Sequence, residues 1–121
     1  MRVLIVDDDD LSAQMTAECL MLDDFVSVKI ARDSATALRL AREFAPEIIF
    51  LDVHLRDGSG LTLAPQLKNE SRAPDMRIVI LSGTARKDDV TEYPDGVNSW
   101  FEKPVPINTL LALVSRKNES E

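Results

Sequence analysis

The chain has one cysteine, four glycines and 5% aromatic residues among its 121 positions. A lone Cys19, without a CxxC partner or a Cys/His companion, makes no internal disulfide and reads as a small core residue rather than a ligand or nucleophile. An excess of basic charge is missing too. Fourteen Lys and Arg stand against 21 Asp and Glu, for a net charge of −7, and no basic cluster interleaves with aromatics, so the electrostatic footprint of a nucleic-acid binder is absent. No apolar stretch approaches the ~20 residues of a membrane-spanning helix. The apolar run near the amino terminus, Val3 to Val6, ends in aspartates and does not fit a secretory signal, so a cytoplasmic protein with no membrane partner is expected. What remains, 45% hydrophobic and 29% charged residues without repeats or low-complexity segments, is the composition of one ordinary globular core. A single domain over residues 1–121 is expected, with the polar stretch 117–121 as a frayed tail or linker.

Residues 46–60, Pro-Glu-Ile-Ile-Phe-Leu-Asp-Val-His-Leu-Arg-Asp-Gly-Ser-Gly, organise the rest. Ile48 to Leu51 are apolar at every position, as in a strand of a parallel sheet buried on both faces, and the run stops at Asp52. An aspartate there either opens a turn or stands in the crevice at the carboxyl end of the sheet, where open α/β folds do their chemistry. The same pattern recurs along the chain. Arg2 to Val6 ends at four consecutive aspartates, Asp7 to Asp10, and Met76 to Leu81 ends at Ser82-Gly83-Thr84. Phe25 to Ile30 alternates as a strand near the sheet edge, and Asn98 to Phe101 is a last strand before Glu102-Lys103-Pro104.

Between these strands lie helical patterns. Leu11, Met15, Cys19 and Leu22 form a stripe expected to face the core. Ser34 is placed to cap a helix through Ala45 with Ala37, Leu40, Ala41 and Phe44 inward. The third stretch runs to about Glu70, with Leu63 and Leu67 on one face. Pro65 inside it predicts a kink or a start near residue 63. The crossover after Met76–Leu81 contains Tyr93-Pro94-Asp95-Gly96, so its helix is confined to one or two turns over 88–93. Ile107, Leu110, Leu111 and Val114 give a final helix opened by Pro106. Five β-α units in succession imply, by the right-handed crossover rule, a doubly wound α/β domain with a parallel sheet covered on both faces.

Four strands end in polar residues that can share one crevice: Asp7 and Asp8, Asp52, Ser82 and Lys103. Clustered carboxylates raise one another's pKa and need solvent or a cation, and hard oxygen donors suit Mg²⁺. Asp9 and Asp10 read instead as an acidic helix start. A carboxylate can attack phosphorus, a cation can neutralise the incoming oxygens, and a lysine with a hydroxyl can hold the group afterwards.

These motifs resemble the receiver domain of bacterial two-component response regulators, chemotaxis-regulator-like, over essentially the whole chain. The resemblance implies a flavodoxin-like (βα)5 three-layer sandwich with strand order 2-1-3-4-5, its fourth helix short or irregular here. Val6-Asp7-Asp8 matches the acidic pair, with Asp8 binding Mg²⁺ directly and Asp7 mainly through water. Asp52 matches the phosphoacceptor, and the His54 backbone carbonyl would complete the metal site. Ser82 matches the hydroxyl residue that engages the phosphoryl group, Lys103 the lysine that pairs with it before a cis peptide bond to Pro104, and Trp100 the switch aromatic. The implied partners are a sensor histidine kinase or phosphotransfer protein as donor and a downstream effector or output domain. The implied role is a switch that assists only its own phosphorylation and dephosphorylation, not an enzyme with an outside substrate. Arg56 departs from the usual proline, Trp100 from the usual Tyr or Phe, and the Pro94 segment from a regular helix. The His54 side chain is expected at the mouth of the site, where it affects water access.

Two other readings compete. A haloacid-dehalogenase-like phosphatase would use Asp7 as nucleophile and Asp9 as acid with Ser82 and Lys103, but it needs a further acidic pair that residues 104–114 lack. A phosphorylation-independent interaction module would keep the fold, yet such degenerate relatives lose an acid or the lysine, and this chain has all of them.

Overall fold

The computed structural model describes residues 1–55, 58–73, 75–83 and 95–115. In chain order the elements are β1 (Arg2–Val6), α1 (Asp10–Leu20), β2 (Ser27–Ala31), α2 (Ser34–Glu43), β3 (Ile48–Asp52), β4 (His54–Leu55), β5 (Gly58–Ser59), α3 (Gly60–Glu70), β6 (Arg77–Ser82), β7 (Ser99–Glu102) and α4 (Ile107–Val114). Five strands form one parallel sheet in the order β2-β1-β3-β6-β7. Counting only these five, that is the expected 2-1-3-4-5 order. β4 and β5 pair antiparallel as a separate short ribbon, which strand periodicity did not signal.

Side-chain alternation divides the sheet residues between two cores. Leu4, Val6, Ile49, Leu51, Ile78 and Ile80 pack on one face with Ala37, Leu40 and Ala41 of α2 and Leu63, Ala64 and Leu67 of α3. Val3, Ile5, Ile48, Phe50, Val79 and Leu81 pack on the other with Ala13, Ala17 and Leu20 of α1 and Leu110 and Val114 of α4. Burial on both sides accounts for the unbroken apolar runs of β1, β3 and β6.

The face of α1 is a correction. Leu11, Met15 and Leu22 are 70%, 58% and 65% exposed, Cys19 is half-buried, and the buried stripe is Ala13, Ala17 and Leu20. At about 100° per residue, a two-residue offset moves a side chain to the opposite side of the helix. Two alanines let α1 lie close to the sheet, where Leu or Met would hold it off.

Other boundaries shift by small amounts. β2 starts at Ser27, so Phe25 lies outside it and is exposed. Asp33 rather than Ser34 caps α2, its carboxylate accepting from Thr36 N at 2.7 Å, and the helix ends at Glu43. α3 begins at Gly60, not near residue 63, and runs through Pro65. Gly96, at φ +87°, lies so close to that helix that a Cβ would come within 3.0–3.1 Å of the Ala64–Pro65 backbone. The crossover helix expected over 88–93, Pro94, Arg56 and the tail 117–121 lie outside the described residues.

Candidate functional site

Parallel strands bring all their carboxyl ends to one edge, and the polar residues at those ends meet there. Asp7 follows β1 and is 3% exposed. Its Oδ1 accepts from Asp9 N at 3.0 Å, and its backbone N–H donates to Ala31 O at 3.0 Å, anchoring it beside β2. Asp9 then caps α1, accepting from Leu11 N at 3.1 Å and Ser12 N at 3.4 Å. Asp10 opens the helix and pairs with Arg32. The run of four aspartates thus divides, with Asp7 and Asp8 near the Asp52 carboxylate and Asp9 and Asp10 at the start of α1.

Asp52 is the last residue of β3, and its Oδ1 accepts from His54 N at 3.3 Å. Carboxylate oxygens of Asp7, Asp8 and Asp52 lie within 4.8 Å of one another. The β3–α3 connection depends on Gly60, whose N–H donates to Val53 O at 2.7 Å. A Cβ at position 60 would lie 2.1 Å from the Asp52 carbonyl oxygen, so only glycine permits this approach.

Lys103 follows β7 at a cis peptide bond to Pro104, with its N–H donating to Ser82 O at 2.7 Å. Its Nζ lies 3.1 Å from Asp7 Oδ2, 2.9 Å from Ser12 Oγ and 3.8 Å from Asp52 Oδ2. Ser82 ends β6 fully buried. The His54 side chain is exposed, consistent with a place at the mouth. Trp100 stands apart from the acids. It is half-buried in β7 against the α2/α3 core, and its indole Nε1 is buried without an acceptor among the described residues.

Three carboxylates and one ammonium leave the cluster with excess negative charge. Burial is the main cause that raises the Asp52 pKa, the Asp7 carboxylate adds to it, and Lys103 and the His54 N–H oppose it. An acid that resists ionising among other acids is relieved by a cation. Opposite ligands on Mg²⁺ are about 4.2 Å apart and on Ca²⁺ roughly 4.6–5.2 Å. Hard oxygen donors that all lie within 4.8 Å of one another are therefore close enough to share a divalent ion. Sequence reasoning singled out Asp7, Asp8, Asp52 and Lys103, which converge. It missed Ser12, which carried no signal beyond its place in the first turn of α1, and the positional role of Gly60, to which the Gly-Ser-Gly turn pointed only weakly.

A doubly wound parallel sheet with an acidic triad and a lysine at its carboxyl edge defines a class, and the comparisons identify the family. Residues 3–115 match the model of the response regulator receiver domain, and the chain belongs to that family. It is 26% identical over 114 residues to the DNA-binding dual master transcriptional regulator RpaA of Synechocystis, covering 93% of this chain but 47% of that protein. To the polar-differentiation response regulator DivK of Brucella anthropi it is 26% identical over 106 residues, 87% of this chain and 85% of the relative. A crystal structure of a Burkholderia pseudomallei response regulator with a phosphorylated aspartic acid, calcium ion and citrate superposes with a TM-score of 0.81 at 29% identity, covering 98% of this chain and 69% of that one. Among the described residues, no helix is long and apolar enough to cross a membrane.

Proposed function

We propose that this domain is a phosphorylation-dependent cytoplasmic switch in which Asp52 accepts a phosphoryl group from a phosphohistidine of a sensor kinase or phosphotransfer protein. The observation that carries it is the position of Asp52, at the end of β3 beside both the acidic pair and the Lys103 ammonium. The phosphorylated aspartate of the Burkholderia relative supports the same assignment.

In the reaction an Asp52 carboxylate oxygen forms a bond to phosphorus as the phosphorus–nitrogen bond of the donor breaks, and the imidazole leaves with the electron pair and is protonated by solvent. Mg²⁺, held by Asp7, Asp8, Asp52 and the His54 carbonyl, would neutralise charge on the transferring oxygens. Lys103 supplies a fixed positive charge on the opposite side and pairs with the product. Ser82 takes a phosphoryl oxygen, and Trp100 repacks to report the change to the surface used by a downstream effector. The chain spans 47% of the length of RpaA and 85% of that of DivK. The domain acts on itself and is not an enzyme with an outside substrate.

Intact mass after incubation with acetyl phosphate and Mg²⁺ tests the assignment. One phosphoryl adduct that disappears in Asp52→Asn and on chelation supports it. No adduct, under conditions that label another receiver domain, refutes it.

A further inference from the structure

Lys103 has a second partner that the family resemblance did not assign. Its ammonium carries three protons and no acceptor. Ser12 Oγ at 2.9 Å and Asp7 Oδ2 at 3.1 Å lie within hydrogen-bond distance, whereas Asp52 Oδ2 at 3.8 Å lies beyond it. Two donors are therefore engaged and one remains for the Asp52 side. Lysine has a flexible four-carbon stem and a strongly hydrated head, so a single carboxylate contact does not fix the direction of its protons. A second contact does. Ser12 is well placed to give it, because its own backbone is held: its N–H donates to the Asp9 cap at 3.4 Å, and its carbonyl accepts from Thr16 Oγ1 at 3.1 Å. Asp9 is in turn tied to Asp7, so Ser12 and Asp7 form one rigid bracket around the ammonium.

We propose that Ser12 is a positioning residue for the phosphorylated state: its hydroxyl, together with Asp7, orients Lys103 so that the remaining ammonium proton meets a phosphoryl oxygen on Asp52. The added group extends beyond Oδ2 and closes the 3.8 Å gap without moving the lysine. This inference rests on Asp52 as the phosphoacceptor.

The test is calorimetric titration of the full chain with beryllofluoride, a phosphoryl mimic, at saturating Mg²⁺, beside titration with Mg²⁺ alone. Ser12→Ala is expected to weaken beryllofluoride binding roughly three- to tenfold, as for loss of one hydrogen bond of ordinary net strength at a half-exposed site. Ser12→Thr, which keeps the hydroxyl, stays within about twofold of wild type by the same reasoning. Mg²⁺ affinity is unchanged in both variants. Beryllofluoride binding in Ser12→Ala equal to wild type overturns the proposal. So does Ser12→Thr binding as weakly as Ser12→Ala, or an equal loss of Mg²⁺ affinity, which would mean that the whole site had shifted. If wild type itself takes up no beryllofluoride, the phosphoacceptor reading fails and this one fails with it.

Discussion

Replacing Asp52 with asparagine should make the metal-free domain more stable, and the size of the gain follows from the site. Burial is the largest cause that keeps the Asp52 carboxyl from ionising, and the neighbouring Asp7 carboxylate adds to it. Lys103, at 3.8 Å, and the His54 N–H act against them. A partly buried carboxylate costs roughly a few kcal/mol of desolvation, and with Lys103 and Asp7 acting on it in opposite directions about 1–3 kcal/mol of that is left. A gain of about 1–3 kcal/mol is expected, or about 4–12 °C in melting temperature for a domain of this size. The pH dependence has a definite sign. Because the folded-state pKa of Asp52 lies above the ordinary value of 3.8, the native state holds this proton more tightly than the unfolded chain does. The penalty is therefore full above the raised pKa, shrinks as pH falls through it, and is gone below the unfolded value. Melting both proteins in chelator from pH 4 to pH 8 should show the largest Asp52→Asn advantage near neutrality and a declining one in acid. With Mg²⁺ at about 100 times its dissociation constant, wild type should gain about 2.7 kcal/mol, enough to cancel most of the variant's advantage. An Asp52→Asn protein no more stable than wild type at pH 7 in chelator, or a gain that persists undiminished in acid, would refute the electrostatic account of the site.

Gly60→Ala should cost about 3 kcal/mol or more and lower Mg²⁺ affinity, because its Cβ would sit 2.1 Å from the Asp52 carbonyl oxygen. Gly83→Ala, where a Cβ meets nothing within 4 Å among the described residues, should stay within about 0.5 kcal/mol of wild type when both variants are unfolded in urea. The two faces of α1 can be told apart in the same way. Leu20→Ala, fully buried, should lose about 2–5 kcal/mol. Met15→Ser, at 58% exposure, should change stability by no more than about 0.5 kcal/mol. Equal losses at the two positions would restore the stripe expected from the sequence.

The convergence of Asp7, Asp8, Asp52 and Lys103 was legible because it is written in strand ends, where an apolar run must stop and the next residue has only one edge to occupy. Alternation adds a further consequence. Asp52 shares strand parity with Ile48 and Phe50, which pack toward α1 and α4, whereas Ser82 and Trp100 share parity with Ile78, Ile80 and the α2/α3 core. Lys103, two residues beyond Phe101 of the α1/α4 core, reaches Ser12 of α1, as that parity requires. Asp7, Asp52 and Lys103 thus continue the parity of one layer, and Ser82 and Trp100 that of the other. Helix facing was less legible because hydropathy ranks side chains by size, and close helix-to-sheet approach rewards small ones. Leu11 and Met15 outrank Ala13 and Ala17 on any such scale, yet they line an open groove of about 410 Å³ between α1 and the residues leading into α4. Had they faced the sheet, α1 would stand further from it, and the Ser12 hydroxyl, on the same helix, would not lie within hydrogen-bond distance of Lys103. The small residues under α1 thus set the depth of the helix, and that depth places its first turn against Lys103.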